Sequence, residues 1–275
     1  MNEILDFYGQ LLTPELRPVF LVAVFVFGSC VGSFLNVCIW RMPLRESVVF
    51  APSHCTKCGA HIKWFDNIPL ISYLILRGRC RSCRAPYSSR YFWIELFTGA
   101  FFLLLAVEAG GNHAVLPLEF AAAGVMIASG LIDAEHGIIP DKLTGFLFLF
   151  ALLVPALSGD FREVAVVFCS GTGFFIALAV FALIGRKLAG KTALGWGDVK
   201  LLSAVAAVGG ILPALYVTIA ASLAGMVGGL VYAAIVHRKP AAVQVRFGSF
   251  IAVAELVWLA SAKFLPDSAA MLNFF

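Results

Sequence analysis

The stretch Gly195-Trp196-Gly197-Asp198-Val199-Lys200-Leu201-Leu202 places an acidic residue at the start of a long apolar run. Ionisable groups at or within membrane segments are costly in free energy, so they indicate function. The two glycines allow a tight bend and a close approach by a substrate or a neighbouring helix. This pattern favours chemistry on a substrate that is itself embedded in a membrane. Hydrolysis by carboxyl groups needs a second acid, and Asp133 in the segment Gly130–Asp141 is the best candidate.

The composition of the chain indicates an integral membrane protein. Of its 275 residues, 61% are hydrophobic and 13% are charged, whereas soluble domains carry about 25% charged residues. The net charge of +4 gives no reason to expect nucleic-acid binding, because the basic residues cluster in predicted loops. The start of the chain holds Glu3, Asp6 and Glu15 against one arginine. It lacks the basic start of a signal peptide, so we expect it to be retained.

The hydropathy pattern predicts an all-α polytopic membrane protein with eight transmembrane helices, each close to the roughly 20 residues that span a bilayer. The first span, near Val19–Ile39, contains Gly28 and Gly32, and small residues at this spacing favour close helix packing. Asn36 in the same span can bond across helices, and packing is favoured over a site role. The other seven spans are predicted near Tyr91–Val107, Leu116–Ile132, Leu143–Leu157, Val164–Ile184, Val199–Leu212, Tyr216–Val236 and Phe250–Phe264. Gly209-Gly210 and Pro213 predict a break after the sixth span.

The long polar segment between the first two spans, Arg41–Arg90, contains two Cys-x-x-Cys pairs. They are Cys55 with Cys58 and Cys80 with Cys83. Two such pairs are typical of a four-thiolate zinc site, because each pair supplies two ligands from one tight turn. Gly59 and Gly78 lie where these turns are expected to bend. The alternatives are two disulfides or ordinary structural thiols, and disulfides require an oxidising compartment.

The distribution of basic residues supports eight spans with both termini outside, because positive charge concentrates on the cytosolic side of a membrane. On this topology 17 of the 20 Lys and Arg residues fall in inner loops, and Arg17, Arg162 and Lys263 fall outside. The cysteine segment is then cytosolic. Topology explains most of its arginines, and the same basic surface could also meet anionic lipid headgroups.

Asp133 and Asp198 are predicted at the same, cytosolic depth, so a helix bundle could bring them together. Two carboxyl groups held close cannot both ionise cheaply, so one keeps a proton. The ionised group can take a proton from a water that attacks a peptide carbonyl, while the protonated group donates one. The sequence contains no serine or cysteine nucleophile elbow.

Plainer interpretations of these residues stay open. Asp198 or Asp141 could simply cap the helix that follows it. His136 lies three residues after Asp133 and could touch it, although a loop histidine is more often solvated. Lys200 could pair with Asp198, but loop topology is its favoured explanation.

A series of short blocks appears in order along the chain. They are Gly32–Val37, the cysteine quartet, Asn67–Pro69 with Arg77–Cys80, Ile132-Asp133 with Ile139–Asp141, and Gly195–Leu202. On this topology they resemble the type IV prepilin peptidases, of the GxGD class of membrane aspartic proteases. Phe247-Gly248 resembles a later block usually written Pro-Phe-Gly-Pro, in which Arg246 and Ser249 stand here in place of the prolines.

The resemblance implies cleavage of the basic leader from type IV prepilins and type II secretion pseudopilins, just before a residue that is often phenylalanine. Asp133 and Asp198 would be catalytic, at the cytosolic face of the bacterial inner membrane. The resemblance also implies N-methylation of the new amine, with S-adenosylmethionine as donor. The expected domains are a periplasmic N-terminus (1–18), a first helix (19–39), a zinc and methyltransferase region (40–90) and a seven-helix protease domain (91–275). No residue of 41–90 forms a recognisable methyl-donor fingerprint.

Two other classes of protein are weighed against this one. In an ion- or proton-coupled transporter, Asp133 and Asp198 would relay ions, but such sites favour the membrane midplane and repeated halves, and no internal repeat is evident. A non-enzymatic assembly anchor would use the zinc segment for docking, but it would not explain two acids at one depth.

The predicted topology can be tested by cysteine labelling in intact cells. A membrane-impermeant thiol reagent should label a Gly159→Cys variant, whose loop is predicted outside, and should not label a Lys191→Cys variant. The opposite pattern would remove the argument that both acids face the cytosol.

Overall fold

The computed structural model of the chain describes residues 15–50, 53–109, 115–189, 194–236 and 245–261. Helices account for nearly all the regular structure in these ranges. They are α1 (Arg17–Arg41), α2 (Ile71–Leu76), α3 (Arg90–Glu108), α4 (Leu116–His136), α5 (Asp141–Leu157), α6 (Phe161–Ala189), α7 (Trp196–Gly209), α8 (Ile211–Ile235) and α9 (Phe247–Ser261). A 3-10 turn at Trp64–Asp66 and two isolated β-bridges lie in the segment between α1 and α3.

The all-α membrane architecture predicted from the sequence is confirmed. Each predicted span coincides with a helix whose described ends differ by only a few residues. Among the described residues, five helices are long and apolar enough to cross a membrane, namely α1, α3, α4, α6 and α8. The helices α5, α7 and α9 are shorter, so the count of eight spans stays a prediction. Most of the predicted N-terminal segment and the end of the last span lie outside the described residues.

The chain divides into two compact units, Met1–Leu116 and Pro117–Phe275. Within the first unit, α1 packs along α3. The sequence analysis predicts a protease domain that begins at residue 91 and so includes α3. The structure shows that α3 packs with α1 in the first unit, and the functional boundary at residue 90 stays a prediction.

Glycines allow α1 and α3 to lie very close together. A Cβ atom on Gly28 would lie 2.9 Å from the Cα of Gly99, and one on Gly32 would lie 2.8 Å from the Cα of Glu95. Both distances are too short for any real side chain, so the backbones meet only because these positions lack Cβ atoms. Asn36 Nδ2 also donates across the pair to the Tyr91 carbonyl at 3.2 Å. The predicted close packing is therefore confirmed.

The short helix α7 lies at the centre of the second unit. It packs against α5, α6, α8 and α9, and Leu201, Leu202 and Ala206 are fully buried. A helix with neighbours on all sides is apolar all round, which explains why its sequence alone resembles a short membrane span. It ends at Gly209, and the next residue, Gly210, has a φ of +83° that suits glycine and breaks the chain before α8. The break predicted at Gly209-Gly210 is thus confirmed.

The close packing in the first unit leads to a prediction about stability. We expect Gly32→Ala to lower the free energy of unfolding by about 1–2 kcal/mol, because the added methyl group overpacks the contact with Glu95. Gly173→Ala in α6 is the matched control. A Cβ there meets nothing within 4 Å, and alanine favours a helix over glycine by about 0.5–1 kcal/mol. Thermal unfolding of the purified variants in detergent should therefore move in opposite directions, and equal midpoints would contradict the packing argument.

Candidate active site and metal centre

Asp133 lies in the last turn of α4, and its carboxylate is held by the start of α9. Gly137, with a φ of +67°, ends α4 by donating its N–H to the Asp133 carbonyl at 2.8 Å. The Asp133 Oδ2 atom accepts the backbone N–H of Ser249 at 2.8 Å and the Ser249 hydroxyl at 2.9 Å. Asp133 is only 5% exposed. The structure therefore buries this acid and fixes its orientation.

Asp198 occupies the third position of α7 and reaches back to the residue that caps the helix. Gly195 is the N-cap residue, with extended backbone, and its N–H donates to the Asp198 carboxylate. This backward contact from the third position is the acidic half of a capping box. A Cβ on Gly195 would lie 2.8 Å from Asp198 Oδ2. The idea that Asp198 is itself the N-cap of this helix is therefore wrong, because that position belongs to Gly195 and Asp198 lies three residues later.

The structure brings the two predicted acids into one site. Asp133 and Asp198 are close enough for their carboxyl groups to interact electrostatically. Ile139, in the loop after α4, packs against the start of α7, which carries Asp198, and against the start of α9, which contacts Asp133. A Cβ on Gly197 would lie 3.1 Å from Ile139 Cβ, and one on Gly248 would lie 2.6 Å from Ile139 Cδ1. The site is therefore built from the end of α4, the following loop and the starts of α7 and α9.

Asp141 lies in the first turn of α5 and is solvent-exposed over 71% of its side chain. The N-cap residue of α5 is Pro140, so the idea that Asp141 itself caps this helix is wrong. Its Oδ1 atom instead pairs with Lys200 Nζ at 2.7 Å. The sequence favoured loop topology as the explanation for Lys200 and offered Asp198 as a possible partner. In the structure Lys200 forms an ion pair, and the partner is Asp141. The exposed His136 imidazole lies 3.8 Å from the Glu135 carboxylate.

Sequence reasoning missed two residues that contact the Asp133 segment, one in the first turn of α9 and one just before that helix. Ser249 binds the carboxylate, and the Arg246 guanidinium donates to the main-chain carbonyls of Asp133, at 3.2 Å, and of Ala134. The available signal was their departure from the proline-containing block that the chain otherwise resembles. Without the fold, nothing in the sequence shows that these two residues face Asp133.

The two Cys-x-x-Cys pairs form two similar turns. Cys55 N–H bonds to the Ala60 carbonyl at 2.9 Å, and Cys80 N–H bonds to the Ala85 carbonyl at 2.9 Å. The residue after the second cysteine of each pair has positive φ: Gly59 at +72° in the first turn and Arg84 at +58° in the second. Gly78 also has a positive φ, +63°, and it bends the chain between the end of α2 and the second pair, while Arg84 takes the left-handed position within the turn itself.

The four sulfur atoms of these turns form a compact cluster. The ligand atoms of Cys55, Cys58, Cys80 and Cys83 all lie within 4.8 Å of one another. The Sγ atoms of Cys55 and Cys83 are 3.9 Å apart, and all seven cysteines are free thiols. Four thiolates at about 2.3 Å from a tetrahedral zinc ion would be about 3.8 Å apart. Backbone N–H groups of Cys58 and then Lys57 lower the pKa of Cys55 to about 6. The pKa of Cys58 is instead about 11, because the lowering effect of the Ala60 backbone is outweighed by hydrogen bonds with the Cys83 thiol and by burial, which raise it. The cluster could hold a metal ion.

A cavity of about 550 Å³ also lies within the first unit. Aromatic rings form part of its lining, with Tyr73 and Tyr87 ring centroids 5.4 Å apart and Tyr91 next to Tyr87. Asn36 and the buried Glu95 also line it. Glu95 Oε2 accepts the Leu70 N–H at 2.8 Å. Sites for small organic ligands combine this size, apolar walls and a few convergent polar groups.

The fold and the paired acids define a class, a multi-pass helical membrane protein with two neighbouring carboxyl groups and a cluster of four cysteines. Residues 26–109 match the family described as Bacterial Peptidase A24 N-terminal domain, and residues 120–230 match the Type IV leader peptidase family. The chain belongs to the type IV leader peptidase family. No solved structure shows a significant match to the chain.

Three similar proteins, all described as prepilin leader peptidase/N-methyltransferase, illustrate the relationship. The Myxococcus xanthus protein is 37% identical over 78% of this chain and 63% of its own length. The Neisseria gonorrhoeae protein is 33% identical over 78% of this chain and 83% of its own. The Legionella pneumophila protein is 30% identical over 90% of this chain and 92% of its own.

Proposed function

We propose that this chain is a bifunctional membrane enzyme that removes the basic leader from type IV prepilins and methylates the new N-terminus. The observation that carries the peptidase proposal is the proximity of Asp133 and Asp198, each anchored by a backbone N–H group. Membership of the family and the names of the relatives support the assignment. Pseudopilins of type II secretion, which carry the same kind of leader, are proposed as further substrates.

In the proposed reaction, Asp133 and Asp198 share one proton. Repulsion between two adjacent carboxylates favours this singly protonated pair. The ionised carboxylate takes a proton from a water molecule, whose oxygen forms a bond to the scissile carbonyl carbon. The protonated carboxyl group donates its proton to the carbonyl oxygen. Collapse of the tetrahedral species then breaks the C–N bond, and a proton passes from the pair to the leaving amine.

The surroundings of the pair are compact. The start of α7 has no side chain at Gly195 or Gly197, and the Asp198 carboxylate and Ile139 occupy the space that these glycines leave. The glycines therefore let the segments that support the two acids approach each other closely. We place the site at the cytosolic face of the inner membrane, where the predicted topology also leaves the basic leader and where lipid surrounds the apolar helices.

We propose the cavity of the first unit as the site for S-adenosylmethionine. Its volume suits a nucleoside-sized ligand. The rings of Tyr73, Tyr87 and Tyr91 offer faces for an adenine ring and for a sulfonium cation. When bound, the donor would supply the methyl group for the substrate amine. Glu95, already oriented by the Leu70 N–H, retains acceptor capacity and would hold that amine.

We propose zinc as the metal held by Cys55, Cys58, Cys80 and Cys83. Four thiolate ligands without an open position are typical of structural zinc. The free energy of binding would stabilise the fold of a segment that has little regular structure of its own. The role is therefore structural, and no step of the cleavage passes through the metal.

The catalytic pair leads to a prediction about cleavage. Asn matches Asp in size but cannot act as a base or carry the shared charge. Asp133→Asn and Asp198→Asn should each lower kcat for prepilin cleavage at least about 100-fold. Because the two residues act as a unit, the double variant should be no worse than either single variant. Purified protein in detergent, a prepilin substrate and N-terminal sequencing of the product measure this.

Asp141→Asn is the matched control, because Asp141 pairs with Lys200 at an exposed position. It should keep substantial activity. Near wild-type cleavage by a folded Asp198→Asn variant would contradict the proposal and favour a transporter or an assembly anchor. Loss in Asp141→Asn with activity kept in Asp133→Asn would move the upstream partner to Asp141. A substrate supplied without its leader should still be methylated by Asp133→Asn.

A separate prediction concerns the metal. We expect metal analysis of the purified chain to find about one zinc per molecule. Cys58→Ser should lose most of that zinc and lower the thermal unfolding midpoint. Cys30→Ser changes an exposed free thiol outside the cluster and should keep both. Wild-type protein without zinc, with these thiols recovered as disulfides, would show that the four-thiolate interpretation is wrong.

A further inference from the structure

Ser249 makes two contacts that the resembled sequence block could not make. That block places proline at this position, and proline has no backbone N–H and no hydroxyl. Here the N–H and the hydroxyl of Ser249 both donate to Asp133, at 2.8 Å and 2.9 Å. This chain therefore has two hydrogen-bond donors on a candidate catalytic carboxylate, at a position where a proline would provide neither.

Both donors reach the same oxygen atom, Oδ2. A carboxylate with one oxygen held from two directions cannot rotate freely about its terminal torsion angle. The position of its other oxygen, Oδ1, is then fixed as well. The single hydroxyl hydrogen of Ser249 is shared between Asp133 Oδ2, at 2.9 Å, and the carbonyl oxygen of Gly130, at 3.1 Å, one turn before Asp133 in α4.

The backbone N–H of Ser249 is available because of its place in α9. The first N–H groups of a helix have no partner within the helix. Ser249 is the third residue of α9, so its N–H can bind Asp133 without weakening the helix. A negative charge at this end also interacts favourably with the helix dipole.

Two neighbours of Ser249 hold the contact in register. A Cβ on Gly248 would lie 3.0 Å from Asp133 Cγ, so only glycine lets the start of α9 approach this closely. The Arg246 guanidinium binds the main-chain carbonyls of Asp133 and Ala134. Residues 246–249 therefore contact Asp133 both at its side-chain carboxylate and at its main-chain carbonyl.

From this geometry we infer that Ser249 is a positioning residue for Asp133, holding Oδ2 so that Oδ1 faces the reaction. The inference rests on the proposed catalytic role of Asp133. It concerns the orientation of a group that acts on the substrate, so its loss lowers the rate of the chemical step more than the affinity for the prepilin.

The test measures kcat and KM for prepilin cleavage by purified variants in detergent. Ser249→Ala removes the hydroxyl and keeps the N–H, and should lower kcat by about 10-fold with little change in KM. Ser249→Pro removes both donors at a first-turn position that tolerates proline, and should lower kcat further. Ser249→Thr keeps both donors and should restore most of the rate. Ser222→Ala, which removes an exposed hydroxyl bonded within α8, is the matched control.

Two comparisons separate positioning from a general effect on folding. The thermal unfolding midpoint of Ser249→Ala should stay close to that of the wild type. In an Asp133→Asn background, Ser249→Ala should cause no further loss, because the residue it positions is already inactive.

The outcomes also distinguish this inference from the proposed function. Cleavage by Asp133→Asn at the wild-type rate would overturn the catalytic pair and the positioning role together. If Asp133→Asn is inactive while Ser249→Ala and Ser249→Pro both cleave at the wild-type rate, only the positioning role is overturned. A loss in Ser249→Ala that Ser249→Thr fails to rescue, accompanied by a lower unfolding midpoint, would assign Ser249 a structural role instead.

Discussion

The second unit depends on holding two carboxyl groups together inside an apolar helical bundle. Repulsion and burial both oppose this arrangement. The fold offsets them by giving each acid a main-chain N–H from the start of a helix, Gly195 for Asp198 and Ser249 for Asp133. Helix starts have such donors to spare. The end of α4 and the starts of α7 and α9 must therefore meet at one place, and the packing of the unit follows from that requirement.

Glycine makes the meeting possible at each of these points. Gly195 leaves room for the Asp198 carboxylate, and Gly248 leaves room for that of Asp133. Gly197 receives Ile139 from the loop between them. The sequence places glycine beside each acid for this reason, and larger residues would force the supporting helices apart. The site is consequently a product of close backbone approach as much as of the two acids.

The first unit also depends on close helix packing through glycine, and it has a cluster of cysteines in the segment between its helices. Its two long helices pack through Gly28, Gly32 and Gly99, while the polar segment between them has little regular structure. Two matching cysteine turns organise that segment around one cluster of sulfur atoms. The two family matches, 26–109 and 120–230, follow the same division as the two units. This agreement supports separate locations for the two proposed activities, with methylation in the first unit and cleavage in the second.

The sequence by itself determined the membrane class, the positions of the helices, the four cysteines and the two acids. These features are local, since apolar length, Cys-x-x-Cys spacing and a charge at the mouth of an apolar run are all read within short windows. Only the tertiary structure decided which groups face the acids. Ser249 and Arg246 are more than 100 residues from Asp133 in the chain. Lys200 pairs with Asp141, although Asp198 is nearer to it in sequence. Arg84 occupies the left-handed position in the second cysteine turn, although a positive φ usually favours glycine. Long-range packing sets these contacts and that backbone angle, and no local pattern encodes them.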